Sequence, residues 1–171
     1  MKESVAALQL VYHMCNAVLG RRRLALRTGL TEMTVRTELE RLRDRGFVRL
    51  ERVGVKLTPT GRKHFEPLLR PIRAVARLEL TSLALDAVCL AAHVGSDQPD
   101  PAWRLRDEAV RRGATGLVVL RRSGHSWVFS HNREPVRQHN AVDADRIEKR
   151  FPEPRHGDQL LIVSAPTLGQ A

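Results

Sequence analysis

The chain is poor in cysteine, in aromatics and in long apolar runs. Cysteine occurs only at Cys15 and Cys89, each inside an apolar segment, with no CxxC and no Cys/His ligand spacing. The pair reads as two reduced, buried thiols, and a zinc site gets little support. Aromatic residues make up 4% of the sequence. Readers of single-stranded nucleic acid need exposed aromatic platforms, so that class loses ground. No uninterrupted apolar run reaches the roughly 18 residues of a membrane-spanning helix. The opening segment, MKESVAALQLVYHMCNAVLG, carries an acid at Glu3 and a polar break at His13. It reads as a helix with one apolar face and not as a signal peptide, so a cytoplasmic protein is expected. No nucleophile elbow, P-loop or dinucleotide glycine pattern appears, and neither an enzyme nor a cofactor is expected.

Charge is what the chain has in excess. The net charge is +10, and residues 1–70 hold 15 Lys and Arg against 7 Asp and Glu, leaving 14 against 12 for residues 71–171. Arginine far outnumbers lysine throughout, but a general arginine bias does not confine the excess to one end. The asymmetry points to a polyanionic partner for the N-terminal part.

Periodicity divides that part into elements. Val5, Leu8, Val11, Tyr12, Cys15, Val18 and Leu19 recur at helical spacing, predicting a helix from Ser4 to Val18 with Gly20 as its stop. A second helix is expected over Arg22–Thr28. Gly29, Leu30 and Thr31 form a tight turn, with Thr31 placed to cap a third helix that ends at Arg45 before Gly46. Its apolar stripe is narrow: Val35, Leu39 and Leu42. The period then changes. Phe47, Val48 and Leu50 suggest a strand, Glu51 to Gly54 a turn, and Val55 with Leu57 a returning strand. Thr58 or Thr60 opens a last helix around Pro59 that runs to about Leu69, and Pro67 and Pro71 mark the exit from the domain.

The segments LALRTGLTEMTVRTELERLRDRGFVRL and VRLERVGVKLTPTGRKHF resemble the helix-turn-helix and wing of winged helix-turn-helix DNA-binding domains. The match covers residues 4–69, including the Leu-Thr-x-x-Gly-Arg opening of the last helix. The resemblance implies a recognition helix, 31–45, in the major groove of double-stranded DNA and a wing, 47–58, on the backbone or minor groove. Thr34 and Thr37 are short enough to reach base edges, and Arg36 suits bidentate reading of guanine. Met33 packs at the groove mouth or contacts a base. Arg41 lies beyond them and suits a phosphate; Arg43 and Arg45 read equally well as a solvated face. Arg52 at the wing tip and Lys56 on the returning strand suit phosphate or minor groove. Arg21 and Arg22, with Arg23, open the second helix where backbone N–H groups attract phosphate.

The remaining residues alternate between strands and helices. Strands are expected over 72–81, 85–94, 115–122, 125–130 and 159–165, with helices over 102–112 and 143–151, the latter capped by Asp143 or Asp145. Residues 95–101 and 132–140 read as loops. Without the first strand the order is β-α-β-β-α-β, that of ferredoxin-like domains. The expected fold class is therefore α+β: an N-terminal winged helix-turn-helix domain, residues 1–70, followed by a ferredoxin-like (βαββαβ) domain, residues 71–171. The segment RLRDEAVRRGATGLVVLRRSGHSWVF…GDQLLIVSA also resembles the C-terminal half of an archaeal family that joins a winged helix to a small uncharacterised α+β domain. That resemblance implies a regulator and names no ligand.

The leading expectation is a homodimeric, sequence-specific regulator of double-stranded DNA, with a small-molecule effector as a further candidate partner and no membrane partner. The first and fourth helices, with the C-terminal sheet, are candidates for the dimer contact. A protein- or RNA-interaction module is the alternative. A small metalloenzyme would need His125, His131 and His139 to gather near Asp143; six residues of extended strand would hold the first two about 20 Å apart. Surface histidines are the simpler reading.

Overall fold

The computed structural model describes residues 3–15, 17–95 and 101–171. The expected loop at 95–101 lies almost wholly outside them. The chain separates into two compact units, Met1–Arg70 and Pro71–Ala171.

The first unit is α1 (Val5–Met14), α2 (Arg21–Thr28), α3 (Glu32–Asp44), a hairpin of β1 (Val48–Glu51) and β2 (Gly54–Leu57), and α4 (Pro59–Leu69). Each long helix starts on a hydroxyl cap. Ser4 accepts from the Ala7 N–H, Thr31 from Thr34 and Thr58 from Gly61, which satisfies donors that the first helical turn leaves unpaired. Thr58, not Thr60, is therefore the cap of α4. Gly29 ends α2 with φ of 71°, a left-handed conformation that costs glycine little. The core gathers Leu10 and Val11 from α1, Leu24 from α2, Val35, Leu39 and Leu42 from α3, and Phe65 from α4, all essentially without solvent contact.

One expectation needs correction here. Helix α1 ends at Met14, not Val18. Leu19 instead pairs with Val55 in an antiparallel bridge, and the Val55 N–H donates to the Leu19 carbonyl at 2.9 Å. The hairpin thus has a short third member, and Gly54 is where it closes. Gly54 has φ of 144°, and a Cβ there would lie 2.9 Å from the Leu19 carbonyl group. Helix α4 runs to Leu69 as expected, with Pro67 inside its last turn.

The second unit carries β3 (Ile72–Leu78), β4 (Val88–Val94), α5 (Ala102–Arg111), β5 (Gly116–Ser123), β6 (Ser126–Phe129), α6 (Val136–His139), α7 (Ala141–Arg150) and β7 (Gln159–Ala165). The five strands form one antiparallel sheet ordered β3-β4-β7-β5-β6. One face is buried, with Ala91, Leu120, Trp127, Leu160 and Ile162 joined in a core by Ile147 and Phe151 of the α7 segment. Helix α5 contacts β5 and buries no residue completely.

This sheet corrects the ferredoxin-like expectation. The β-α-β-β-α-β element order is present, but a ferredoxin-like sheet leaves the last strand at an edge. Here β7 is central, pairing with β4 from Val88↔Ala165 and with β5 from Gly116↔Ser164, while β3 occupies the edge beside β4. The physical reason lies in QLLIVSA. It is an apolar run buried along most of its length, and left at an edge it would offer a long apolar template for unwanted pairing. The loop expected at 132–140 contains α6, and α7 starts two residues before Asp143. Asp143 caps neither helix. Fully buried, it accepts hydrogen bonds from the Thr81, Ser82 and Leu83 N–H groups and the Thr81 hydroxyl at 2.8–2.9 Å. Burial alone would push its carboxyl up; the four hydrogen bonds outweigh that and hold it below the usual range.

Candidate nucleic-acid interface

Helix α3 turns Val35, Leu39 and Leu42 into the core, so the opposite stripe must face water. That stripe is Met33, Arg36, Thr37 and Glu40, at i, i+3, i+4 and i+7. Met33 is 70% exposed. Thr37 is exposed, and its hydroxyl has no partner among the described residues. Thr34 sits on the flank, where its hydroxyl pairs with that of Thr31 at 2.8 Å. Thr31 is thereby committed to the cap, and Thr34 is less available than a free hydroxyl.

The arginines divide in a way the sequence did not foretell. Arg36 Nε donates to Glu40 at 3.0 Å. Arg41, expected to meet phosphate, is paired at 2.9 Å with Glu38, whose nearly buried carboxylate also accepts from Ser4 at the start of α1. Arg45 is no solvated side chain. Its guanidinium grips Glu3 through two hydrogen bonds of 2.7 and 2.8 Å and lies 4.5 Å from the Phe47 ring centre. His64 approaches the same Glu3 carboxylate at 2.7 Å. The Arg45 hydrogen bonds, opposed by burial and helped by His64, hold the Glu3 carboxyl down at about 2.

Arg43 lies elsewhere, with Nε and one Nη donating to the adjacent, exposed Asp44 at 3.1 and 2.9 Å. Seven residues after Arg36, it returns to the same side of α3 and joins a cleft of about 460 Å³ between α3, the start of α2 and the hairpin. Arg21, Arg36, Arg43 and Arg52 line this cleft, along with Glu40, Glu51 and the exposed apolar Val53 at the hairpin tip. Gly20, the N-cap of α2, also lines it, supplies no side-chain cap and is followed by no acid in the first turn. Four guanidiniums and an uncapped helix start around one concavity suit a phosphate backbone. Arg22 instead leans toward Glu32, 3.8 Å away, and both are highly exposed.

The outer face of the hairpin is also basic. Lys56 stands directly across from Arg49, and both are exposed. Like charges at facing positions destabilise a hairpin, so this pair gains from an external anion. Arg43, Arg49 and Val53 were missed by reasoning from sequence. The seven-residue spacing of Arg36 and Arg43 and the hairpin register were the signals that could have found them.

The metal reading does not assemble. Asp143 is occupied by residues 81–83, His139 lies 4.0 Å from Glu134, and among the described residues no three His, Cys, Asp or Glu side chains are grouped to hold an ion. Among the same residues no helix is long and apolar enough to cross a membrane, and Cys15 and Cys89 are free thiols.

The first unit, with its short helices, basic cleft and hairpin, is similar to a DNA-binding domain. Residues 1–72 match the family model described as the CggR N-terminal DNA binding domain. Over the whole chain the fold is similar to that of a solved structure, the hypothetical protein PH0730 from Pyrococcus horikoshii OT3. The two share 24% identity, with a TM-score of 0.77 over 99% of this chain and 87% of that one. No curated protein matches the chain.

Proposed function

We propose that the protein is a sequence-specific, double-stranded DNA-binding transcription regulator that uses its first unit as a winged helix-turn-helix. The observation that carries this reading is the shared cleft of Arg21, Arg36, Arg43 and Arg52, bounded by α3 on one side and the hairpin on the other. Duplex DNA fits that arrangement: α3 enters the major groove with Met33, Arg36 and Thr37 toward base edges, while Arg21, Arg43 and Arg52 of the cleft, with Lys56, take phosphates. The fourfold commitment to arginine favours phosphate and guanine, both of which accept two parallel N–H bonds.

In this reading one α3 covers a half-site, and a homodimer presents two of them about one helical turn apart. The second unit serves dimerisation, effector sensing or both, and no catalytic role is proposed for it. The test is capture from a mixed pool of random duplexes and structured RNA by the purified full chain. Enrichment of a duplex motif supports the reading. Retention of RNA without any enriched duplex overturns it and favours an RNA-interaction module.

A further inference from the structure

We propose that Glu40 is a specificity-determining positioning residue, fixing the Arg36 guanidinium to read guanine in the major groove. The proposal rests on the reading of α3 as the helix that enters the groove.

The starting point is an ion pair that stability does not account for. Arg36 Nε donates to Glu40 Oε1 at 3.0 Å, and the two side chains are 61% and 44% exposed. Exposed i,i+4 pairs contribute little to a helix, and the basic residue here precedes the acidic one, the less favourable order. Nor does a carboxylate help a cleft whose task is only to hold phosphate. Glu40 stands among Arg21, Arg36, Arg43 and Arg52, where it repels a DNA backbone.

The pair makes sense if Arg36 faces bases. An untethered arginine loses considerable rotamer freedom when it engages a base edge. Glu40 restricts that freedom in advance by occupying Nε. The terminal Nη groups of Arg36 have no other partner among the described residues, so they remain as a fork for the O6 and N7 acceptors of guanine. The carboxylate also discourages Arg36 from swinging to a phosphate, since that contact would bring Glu40 toward the same negative charge. Glu40 lies one helical turn beyond Arg36, and its second oxygen can accept from a cytosine N4 amino group on a neighbouring pair.

The experiment is site selection from random duplexes by wild type, Glu40→Ala, Glu40→Gln, Arg36→Ala and the Arg36→Ala/Glu40→Ala double variant. Binding of the selected and a scrambled duplex is then measured at one salt concentration. Circular dichroism verifies that the variants fold, as expected for changes at exposed helical positions. Wild type should enrich a guanine that Arg36→Ala no longer selects. Glu40→Ala should bind scrambled duplex more tightly and lose roughly tenfold in selected-to-scrambled ratio at that guanine, within the range for one bidentate base contact. Glu40→Gln, whose amide oxygen can still accept from Nε, should restore most of the guanine preference. In the Arg36→Ala background, Glu40→Ala should leave base preference unchanged. An unaltered guanine preference in Glu40→Ala, or an equal effect of that change with and without Arg36, overturns the positioning role while leaving the proposed function standing. Failure of wild type to select any duplex overturns the proposed function itself, and this inference with it.

Discussion

Exchanging the expected roles of two arginines gives a sharp prediction. Arg41 and Arg43 are two residues apart, equally charged and both exposed, so a general electrostatic account makes their removal equivalent. The structure makes them different. Arg43 lines the cleft with Arg21, Arg36 and Arg52 and pairs only with the exposed Asp44 next to it, whereas Arg41 is paired with the nearly buried Glu38 beside the start of α1. Each phosphate neutralised adds about 0.9 to the slope of log affinity against log salt. Over a fourfold rise in salt, from about 50 to about 200 mM, one contact therefore accounts for roughly a 3.5-fold loss of affinity. Arg43→Ala should flatten the slope by about one unit and weaken binding to all duplexes. Arg41→Ala should leave the slope within about 0.3 of wild type. It should instead cost about 1 kcal/mol of stability, because Glu38 keeps only Ser4 as its partner. Fluorescence anisotropy of a labelled duplex across a salt series, with urea unfolding of both variants, reads the two effects separately. A flattened slope for Arg41→Ala together with an unchanged slope for Arg43→Ala would refute the placement of the interface.

Other substitutions test the scaffold. The Glu3 carboxyl is held at about 2 instead of its usual 4.5, so its contribution is fully present above pH 4.5 and is lost as pH falls toward 2. Glu3→Gln should cost about 1–2 kcal/mol at neutral pH, less than the full shift implies because Arg45 and His64 reach solvent. That difference should close in acid unfolding experiments. Asp143→Asn replaces one acceptor oxygen with an NH₂ group facing buried N–H donors, and urea unfolding followed at Trp127 should show a loss of about 2–4 kcal/mol. Gly61→Ala would place a Cβ 2.1 Å from the Phe47 carbonyl oxygen. It should destabilise the first unit by about 1–3 kcal/mol and weaken DNA binding by shifting α4 against the hairpin.

The legible parts of this protein were those written in local chemistry. The Thr31 cap, the Gly29 turn, the narrow stripe of α3 and the QLLIVSA strand follow from residue type and period alone, and their observed bounds lie within a residue or two of the expected ones. Less legible was anything fixed by a distant partner. Leu19 looks like the end of a helix until Val55 supplies a strand neighbour. Asp143 looks like a cap until the backbone of residues 81–83 arrives to fill its lone pairs. The position of β7 in the sheet depends on which strands it can satisfy on both sides, a choice that element order does not encode. The candidate site divides the same way. Met33, Arg36 and Thr37 are placed outward by helical period, but Arg41 and Arg45 were captured by Glu38 and Glu3, acids 3 and 42 residues away in sequence.

The central claim is that duplex DNA lies across α3 and the hairpin, and amide chemical-shift mapping of the labelled full chain with a selected duplex tests it most directly. The account predicts that the largest shifts fall on residues 31–43, on Arg21 and on Arg52 and Val53 at the hairpin tip, and that an unlabelled competitor duplex reverses them. Shifts confined to α1, or to the five-stranded sheet of the second unit, would contradict it.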